Sequence, residues 1–303
     1  MKMKKLFLGV SFFSLLVFGA CEKGIPNIDK TDYFKEYSFD TKATKEQTDA
    51  IINGINSGAY FLSSLSRKAE AYEKSNLIER YETSDSKTKI LEDKKNLDHL
   101  IKERTISSDI QTKSNGTTVK QSEKSVSTEW DAGGGKIYYM SRRTTNGSEE
   151  ESASYSSSSS GSLVSNKDRK MDDIKQLIIT GMSDFNAANC YANKDGSFTC
   201  VATSQVSRSV TAVEWGTSTK EYIRETRSQA VSFFDKDYRL TKYYSYQEAT
   251  TNRDTSTGEW YDSVKLVGFA YCLYEYHYGN RESASISELT KKANSINNKK
   301  ATL

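Results

Sequence analysis

One proline in 303 residues, Pro26, leaves nearly the whole chain free to run as long strands, since proline removes a ladder hydrogen bond wherever it falls in a sheet. The 19 tyrosines and 12 phenylalanines point the same way, because aromatic side chains suit a pleated, half-buried surface. The expected class is α+β, dominated by a long curved antiparallel sheet. Helices are confined to segments whose apolar residues recur at three and four. The clearest opens at Thr44 and Gln47, a T-x-x-Q capping box. Ile51, Ile52, Ile55, Ala59, Leu62, Leu65, Ala69 and Tyr72 then mark one face of a predicted helix. Gly54 and Gly58 lie on that face, and each costs a helix about 1 kcal/mol relative to Ala, which suggests close packing against another backbone. Such a stripe serves a core helix or, in the sharper alternative, a helix lying on a membrane surface.

The remaining elements follow from turns and alternation. Ile106 and Ile110 alternate with polar residues, Asn115-Gly116 is a hairpin turn, and Val119–Trp130 continues as its second strand. Gly133-Gly134-Gly135 turns into a strand over Lys136–Arg142. With no helix after it and no closing Gly-Lys-Ser/Thr, it is not a phosphate loop. Residues 82–96 are charged, with weak helical periodicity. Residues 144–165, TTNGSEEESASYSSSSSGSLVS, are too polar and repetitive to order themselves and are expected as a flexible insertion. A helix is predicted over Asp168–Met182. Strands are predicted over Phe185–Tyr191, Ser197–Trp215, Glu221–Phe234, Tyr238–Thr250 and Glu259–Tyr278. Ser285-x-x-Glu288 then caps a short C-terminal helix.

The start of the chain, MKMKKLFLGVSFFSLLVFGAC, has the form of an export signal. Lys2, Lys4 and Lys5 precede an apolar run to Phe18, and Gly19 and Ala20 lead into Cys21. The run is shorter than the ~20 residues a spanning helix needs. Phe18-Gly19-Ala20-Cys21 resembles the bacterial lipobox, with Phe18 where the pattern usually has Leu. The resemblance implies cleavage before Cys21 and acylation of its thiol, and several acyl chains on one residue anchor stably. Residues 1–20 are thus expected as a signal peptide, 21–40 as a lipidated tether and 41–303 as a single β-rich domain. The location implied is extracytoplasmic, on a bacterial cell membrane. The leader holds three of the 43 basic residues and none of the 40 acidic ones, so the remaining chain is formally balanced. The electrostatic footprint of a nucleic-acid binder is missing.

Cys190 and Cys200 flank a hairpin loop symmetrically about Asp195, which favours a disulfide in an exported protein. Cys272, in a strand of apolar and aromatic residues, is expected as a small buried core residue. His99 and His277 lie in no metal-spacing motif, and no nucleophile-and-base constellation stands out. Neither a metal, a cofactor nor a catalytic role is expected. Asp235-Lys236-Asp237 resembles the start of a calcium loop only superficially, because Arg239 occupies a ligand position and no glycine follows at the sixth.

The order of elements, together with Phe233-Phe234-Asp235-Lys236-Asp237-Tyr238-Arg239-Leu240 and the later Trp260-Tyr261, resembles the LolA/LppX-like extracytoplasmic lipoproteins. The resemblance covers residues 44–278. It implies a half-barrel wrapping the N-terminal helix around an apolar cavity, and a role in holding or carrying a lipid or other hydrophobic ligand. The implied cavity residues are Phe61, Leu65, Tyr139, Phe234, Tyr244, Phe269 and Tyr271. For each of them plain core packing is the simpler reading. The rival function is a surface interaction or adhesion lipoprotein with a filled core, whose protein or glycan partner the sequence leaves unidentified.

Overall fold

The computed structural model describes residues 41–74, 78–133, 135–157, 166–180, 189–202, 205–215, 218–253 and 258–300. The leader, Cys21 and the tether lie outside these residues. After a short strand β1 (Thr41–Lys42), helix α1 (Lys45–Phe61) leads into a meander of β2 (Leu62–Lys74), β3 (Glu79–Asp93), β4 (Leu100–Ser114), β5 (Thr117–Asp131), β6 (Lys136–Thr145) and β7 (Ser148–Ser157). Helix α2 (Asn166–Thr180) follows, then β8 (Cys190–Ala192), β9 (Phe198–Val201), β10 (Gln205–Trp215), β11 (Ser218–Phe234), β12 (Leu240–Arg253) and β13 (Trp260–Tyr278). The short β14 (Ser283–Ala284) and helix α3 (Ile286–Lys300) close the chain.

These strands build one open, mostly antiparallel sheet in the order β1-β8-β9-β11-β12-β13-β2-β3-β4-β5-β6-β7, with β10 beside β11 and β14 beside β3. Pairing of β13 with β2 joins the two meanders. The capping box forms at α1, where Thr44 Oγ1 accepts from the Gln47 N–H and Gln47 Oε1 accepts from the Thr44 N–H. Two hairpins close on Asn-Gly: φ is 48° and 78° at Asn115 and Gly116, and 48° and 86° at Asn146 and Gly147. Positive φ at both positions is the two-residue turn that matches strand twist.

Several segments correct the sequence reading. Helix α1 ends at Phe61, so Leu62–Tyr72 is strand. Leu62 pairs with Tyr278 and Ser64 with His277, leaving Ser63 as a bulge. The bulge puts Leu62 and Leu65 on one face although they stand three apart, and that spacing imitates a helix. Arg281 completes the helix end by donating to the carbonyls of Ala59 (3.1 Å), Tyr60 (2.9 Å) and Leu62 (3.1 Å), acceptors a helix C-terminus otherwise leaves open.

Residues 82–93 are not helical but belong to β3, which pairs with β2 over residues 79–89 and with β4 over residues 79–92. No residue of Glu79–Lys87 is buried, so no apolar alternation marks that half of the strand. The expected insertion is also corrected in part. Thr144 and Thr145 end β6, and Ser148–Ser157 is β7, paired from Thr145–Ser148 to Lys136–Ser157. Arg142 on β6 bridges Glu149 (3.1 Å) and Glu151 (2.5 Å), so opposite charges offset the polar composition. Residues 158–165 lie outside the described set. The strand expected over Ser197–Trp215 divides into β9 and β10, which pair with opposite ends of β11.

Successive side chains in a strand point to opposite faces, and the core sorts accordingly. On the front face Ile90, Leu100, Tyr243 and Tyr276 pack with Ile51 and Ala59 of α1 and with Met171, Ile174 and Ile178 of α2. On the back face Leu91, Ile101, Trp130 and Tyr138 pack with Ile286 and Ala293 of α3. Trp130 Nε1 donates to Thr290 Oγ1 there at 3.0 Å.

Candidate functional site

Beyond α3 the back face continues across β11, β12, β13 and β2 as an aromatic cluster. Tyr72, Val231, Phe233, Tyr244, Tyr246, Phe269 and Tyr271 are each at most 8% exposed. Every member among the described residues comes from a strand. Register brings them together: Tyr244 stands opposite Leu273, Tyr246 opposite Tyr271, and Phe269 opposite Tyr72. Ring centroids lie 5.3 Å apart for Tyr244–Tyr271, 6.0 Å for Tyr72–Phe269 and 6.5 Å for Tyr246–Phe269, within the range aromatic pairs favour.

Phenol groups on this face are held by carboxylates. Tyr246 donates to Glu248 Oε2 at 2.6 Å, Tyr72 to Glu79 Oε1 at 3.1 Å, and Tyr81 to Glu70 Oε2 at 3.3 Å. Burial first, then the bond to Glu248, pushes the Tyr246 phenol far above its ordinary value. The cluster is thus largely apolar, with the phenols of Tyr72, Tyr81 and Tyr246 each held by a carboxylate. Among the described residues no three acidic, histidine or cysteine side chains converge as metal ligands.

The seven residues implied as cavity lining do not meet at one place. Tyr244, Phe269 and Tyr271 belong to the aromatic back face. Leu65 and Phe234 belong to the front core under α1 and α2. Phe61 and Tyr139 are 55% and 43% exposed. Tyr72 and Tyr246 join the back-face cluster without having been singled out. The parity of Tyr246 with Tyr244 could have found it, whereas Tyr72 was absorbed into the expected helix. On the front face a small pocket lined chiefly by Ile90, Leu100, Ile174 and Leu177 has a volume of about 10 Å³. It holds about one water and takes no acyl chain.

Cys190 and Cys200 are directly paired across β8 and β9, with their Cα atoms 4.0 Å apart and their sulfurs bonded. Cys272 is half-buried, and Arg67 Nε donates to its sulfur at 3.0 Å, a partner the sequence did not suggest. In the Asp235–Arg239 turn the Arg239 guanidinium bridges Asp235 and Asp237, each at 2.9 Å.

No family model matches the sequence, and no curated protein matches it. Among solved structures the chain is similar to the beta domain of the Bordetella autotransporter BrkA, at 6% identity and a TM-score of 0.21, over 71% of this chain and 98% of that one. It is similar to a DUF1329 family protein from Desulfovibrio piger at 10% identity and a TM-score of 0.17, over 78% and 94% of the two chains. A third likeness is to a domain from Vibrio parahaemolyticus described as an outer membrane lipoprotein-sorting protein, at 8% identity, TM-score 0.12, and coverage of 77% and 93%. Likeness this slight carries no argument about function.

Proposed function

We propose that this protein is a membrane-anchored extracytoplasmic lipoprotein that binds, rather than transforms, a lipid or other hydrophobic molecule on the aromatic back face of β11–β13 and β2. The observation that carries the reading is the strand-built cluster of Tyr72, Tyr244, Tyr246, Phe269 and Tyr271. Its rings form a continuous apolar, strand-built face, the chemistry that a hydrophobic ligand would need. The site lies on the face away from α1, unlike the cavity that the LolA/LppX-like resemblance implies, which the half-barrel encloses with the N-terminal helix. The lipobox-like Phe18–Cys21 supplies the anchor. Native mass spectrometry of the full chain, released gently from its membrane, tests the reading. An adduct of lipid mass that is displaced by added fatty acid supports it.

A second reading is an interaction lipoprotein with a filled core. It is favoured by the front face, where the pocket beneath α2 is water-sized, and by exposed Tyr139 and Tyr155 on the β6–β7 hairpin. A chain carrying no adduct and taking up no added lipid supports this second reading.

A further inference from the structure

Helix α1 buries one side and leaves the other unused by the fold. Thr48, Ile51, Gly54, Gly58 and Ala59 face inward. Ile52, Asn56 and Tyr60 recur at four on the outward side, and Phe61 follows Tyr60. Ile52 is 46% exposed, Tyr60 54% and Phe61 55%. No residue from Ala50 to Ser66 carries a charge. An outward helix face in contact with water is normally charged or polar, whereas this one ends in two aromatic rings. The neighbouring corner has the same character. The β3–β4 loop exposes Leu97 beside Lys94 and Lys95. Arg281 joins it to α1, donating to the Tyr60 carbonyl and contacting Glu92 at 3.4 Å.

We propose that this outward face of α1 docks on the lipid bilayer that holds the acyl group of Cys21, an inference that rests on the anchoring reading above. Where the tether ends argues for this occupant. Residues 21–40 reach at most roughly 70 Å when extended. Thr41–Ala43 then leads directly into α1, and the Ala43 N–H donates to the Cys190 carbonyl. β1 pairs with β8, and β8 with β9. β9 in turn lies along Val231–Phe234, the end of β11 that turns toward Tyr238 and α1. The chain therefore enters the fold at the α1 end. The Asn115-Gly116 tip stands at the far end of β4, a strand of 15 residues, roughly 50 Å away.

Tethering makes docking intramolecular, which raises the effective concentration of the bilayer around the folded residues. A patch too small to hold a free protein on a bilayer then suffices. Aromatic rings at headgroup depth, with lysines reaching outward, are the composition of membrane-interface contacts. Docking in this way would present the hairpins away from the bilayer.

The test uses the full lipidated chain carrying Cys272→Ser, so that an introduced cysteine is the single labelling site. Phe61→Cys, or Asn115→Cys as the distal control, carries an environment-sensitive fluorophore. The chain is placed in vesicles of phosphatidylethanolamine and phosphatidylglycerol doped with nitroxide lipid. The expected result is a blue-shifted label at 61, quenched by the nitroxide at least about twofold more than the label at 115, consistent with burial of an apolar helix face at headgroup depth. Adding Ile52→Glu and Tyr60→Glu, both on the outward side, should return the label at 61 to the behaviour of 115 while the chain still pellets with the vesicles. A label at 61 as water-exposed as that at 115, in a chain that pellets, overturns the docking and leaves the anchor standing. A chain that stays in the supernatant overturns both.

Discussion

Gly54 packs against the backbone of Tyr238, so closely that a β-carbon at Gly54 would lie 2.3 Å from the Tyr238 carbonyl oxygen. The turn opposite is not free to yield. Tyr238 holds a φ of 61°, and the Asp235 carboxylate accepts from the N–H groups of Asp237 and Arg239. Gly58 differs, since its nearest neighbours are side-chain atoms of Ile178 and Tyr278 at an ordinary 3.5 Å. Gly54→Ala is therefore expected to lower stability by roughly 1–3 kcal/mol, the usual cost of overpacking. Gly58→Ala should be neutral, or stabilising by up to about 1 kcal/mol through helix propensity. Urea midpoints separate the two, and equal losses would contradict the packing described.

The bonded pair Cys190–Cys200 closes a loop of roughly 11 residues, worth about 3 kcal/mol on the chain-entropy model. Cys190→Ser should cost an amount of that order. Peptide mapping without reduction is expected to recover the two cysteines linked, with Cys272 alkylated on unfolding. Alkylated thiols at both 190 and 200 would contradict the pairing.

Alkaline pH should unfold the front core. Tyr276 is 3% exposed and donates to the Leu177 carbonyl at 3.1 Å. Burial first, then the neighbouring phenols of Tyr274 and Tyr278, raises its proton affinity well above the ordinary value. Tyr278, raised chiefly by burial, donates to the Leu240 carbonyl at 2.6 Å. A folded-state value above the unfolded ~10 contributes stability that is whole below about pH 10 and is lost as pH rises from there. The urea midpoint should be flat up to about pH 9 and decline beyond about pH 10. Tyr276→Phe should cost about 1 kcal/mol at neutral pH and flatten that decline. An unchanged alkaline slope in the variant would remove Tyr276 as its source.

The strands were legible in the sequence where a turn or an alternation announced them. Asn115-Gly116 and the aromatic run into Tyr278 are examples. Each miss has a local physical cause. Leu62 and Leu65 keep helical spacing only because Ser63 bulges. Asn146-Gly147 carries the same turn signal as Asn115-Gly116, and the serine content after it outweighed that signal. β3 hides because residues 79–87 contain no buried position. The candidate site was legible as composition but not as geometry. Which of Tyr243 and Tyr244 meets the helices depends on register with β11 and β13, a relation between distant segments that periodicity within one strand does not fix.

The anchor has its own test. Cys21→Ser should release or misprocess the chain, since no acyl group can then be added. Fractionation of cells expressing the variant reads this directly. A variant cleaved at the same place and still retained in the membrane would contradict lipid attachment.

Tyr243 and Tyr244 are neighbours in β12, both buried, one in the front core and the other on the aromatic back face. Truncating either removes a comparable ring, so stability losses should be similar, roughly 3–5 kcal/mol for loss of a large aromatic side chain. Only Tyr244→Ala should impair ligand uptake. A titration of the full chain with a fluorescent fatty acid, in conditions where both variants remain folded by circular dichroism, decides the proposed function. The expected result is saturable binding in the parent and in Tyr243→Ala, weakened about tenfold or more in Tyr244→Ala, a factor corresponding to roughly 1.4 kcal/mol. No binding in the parent, or equal weakening in both variants, would contradict a hydrophobic ligand on the back face.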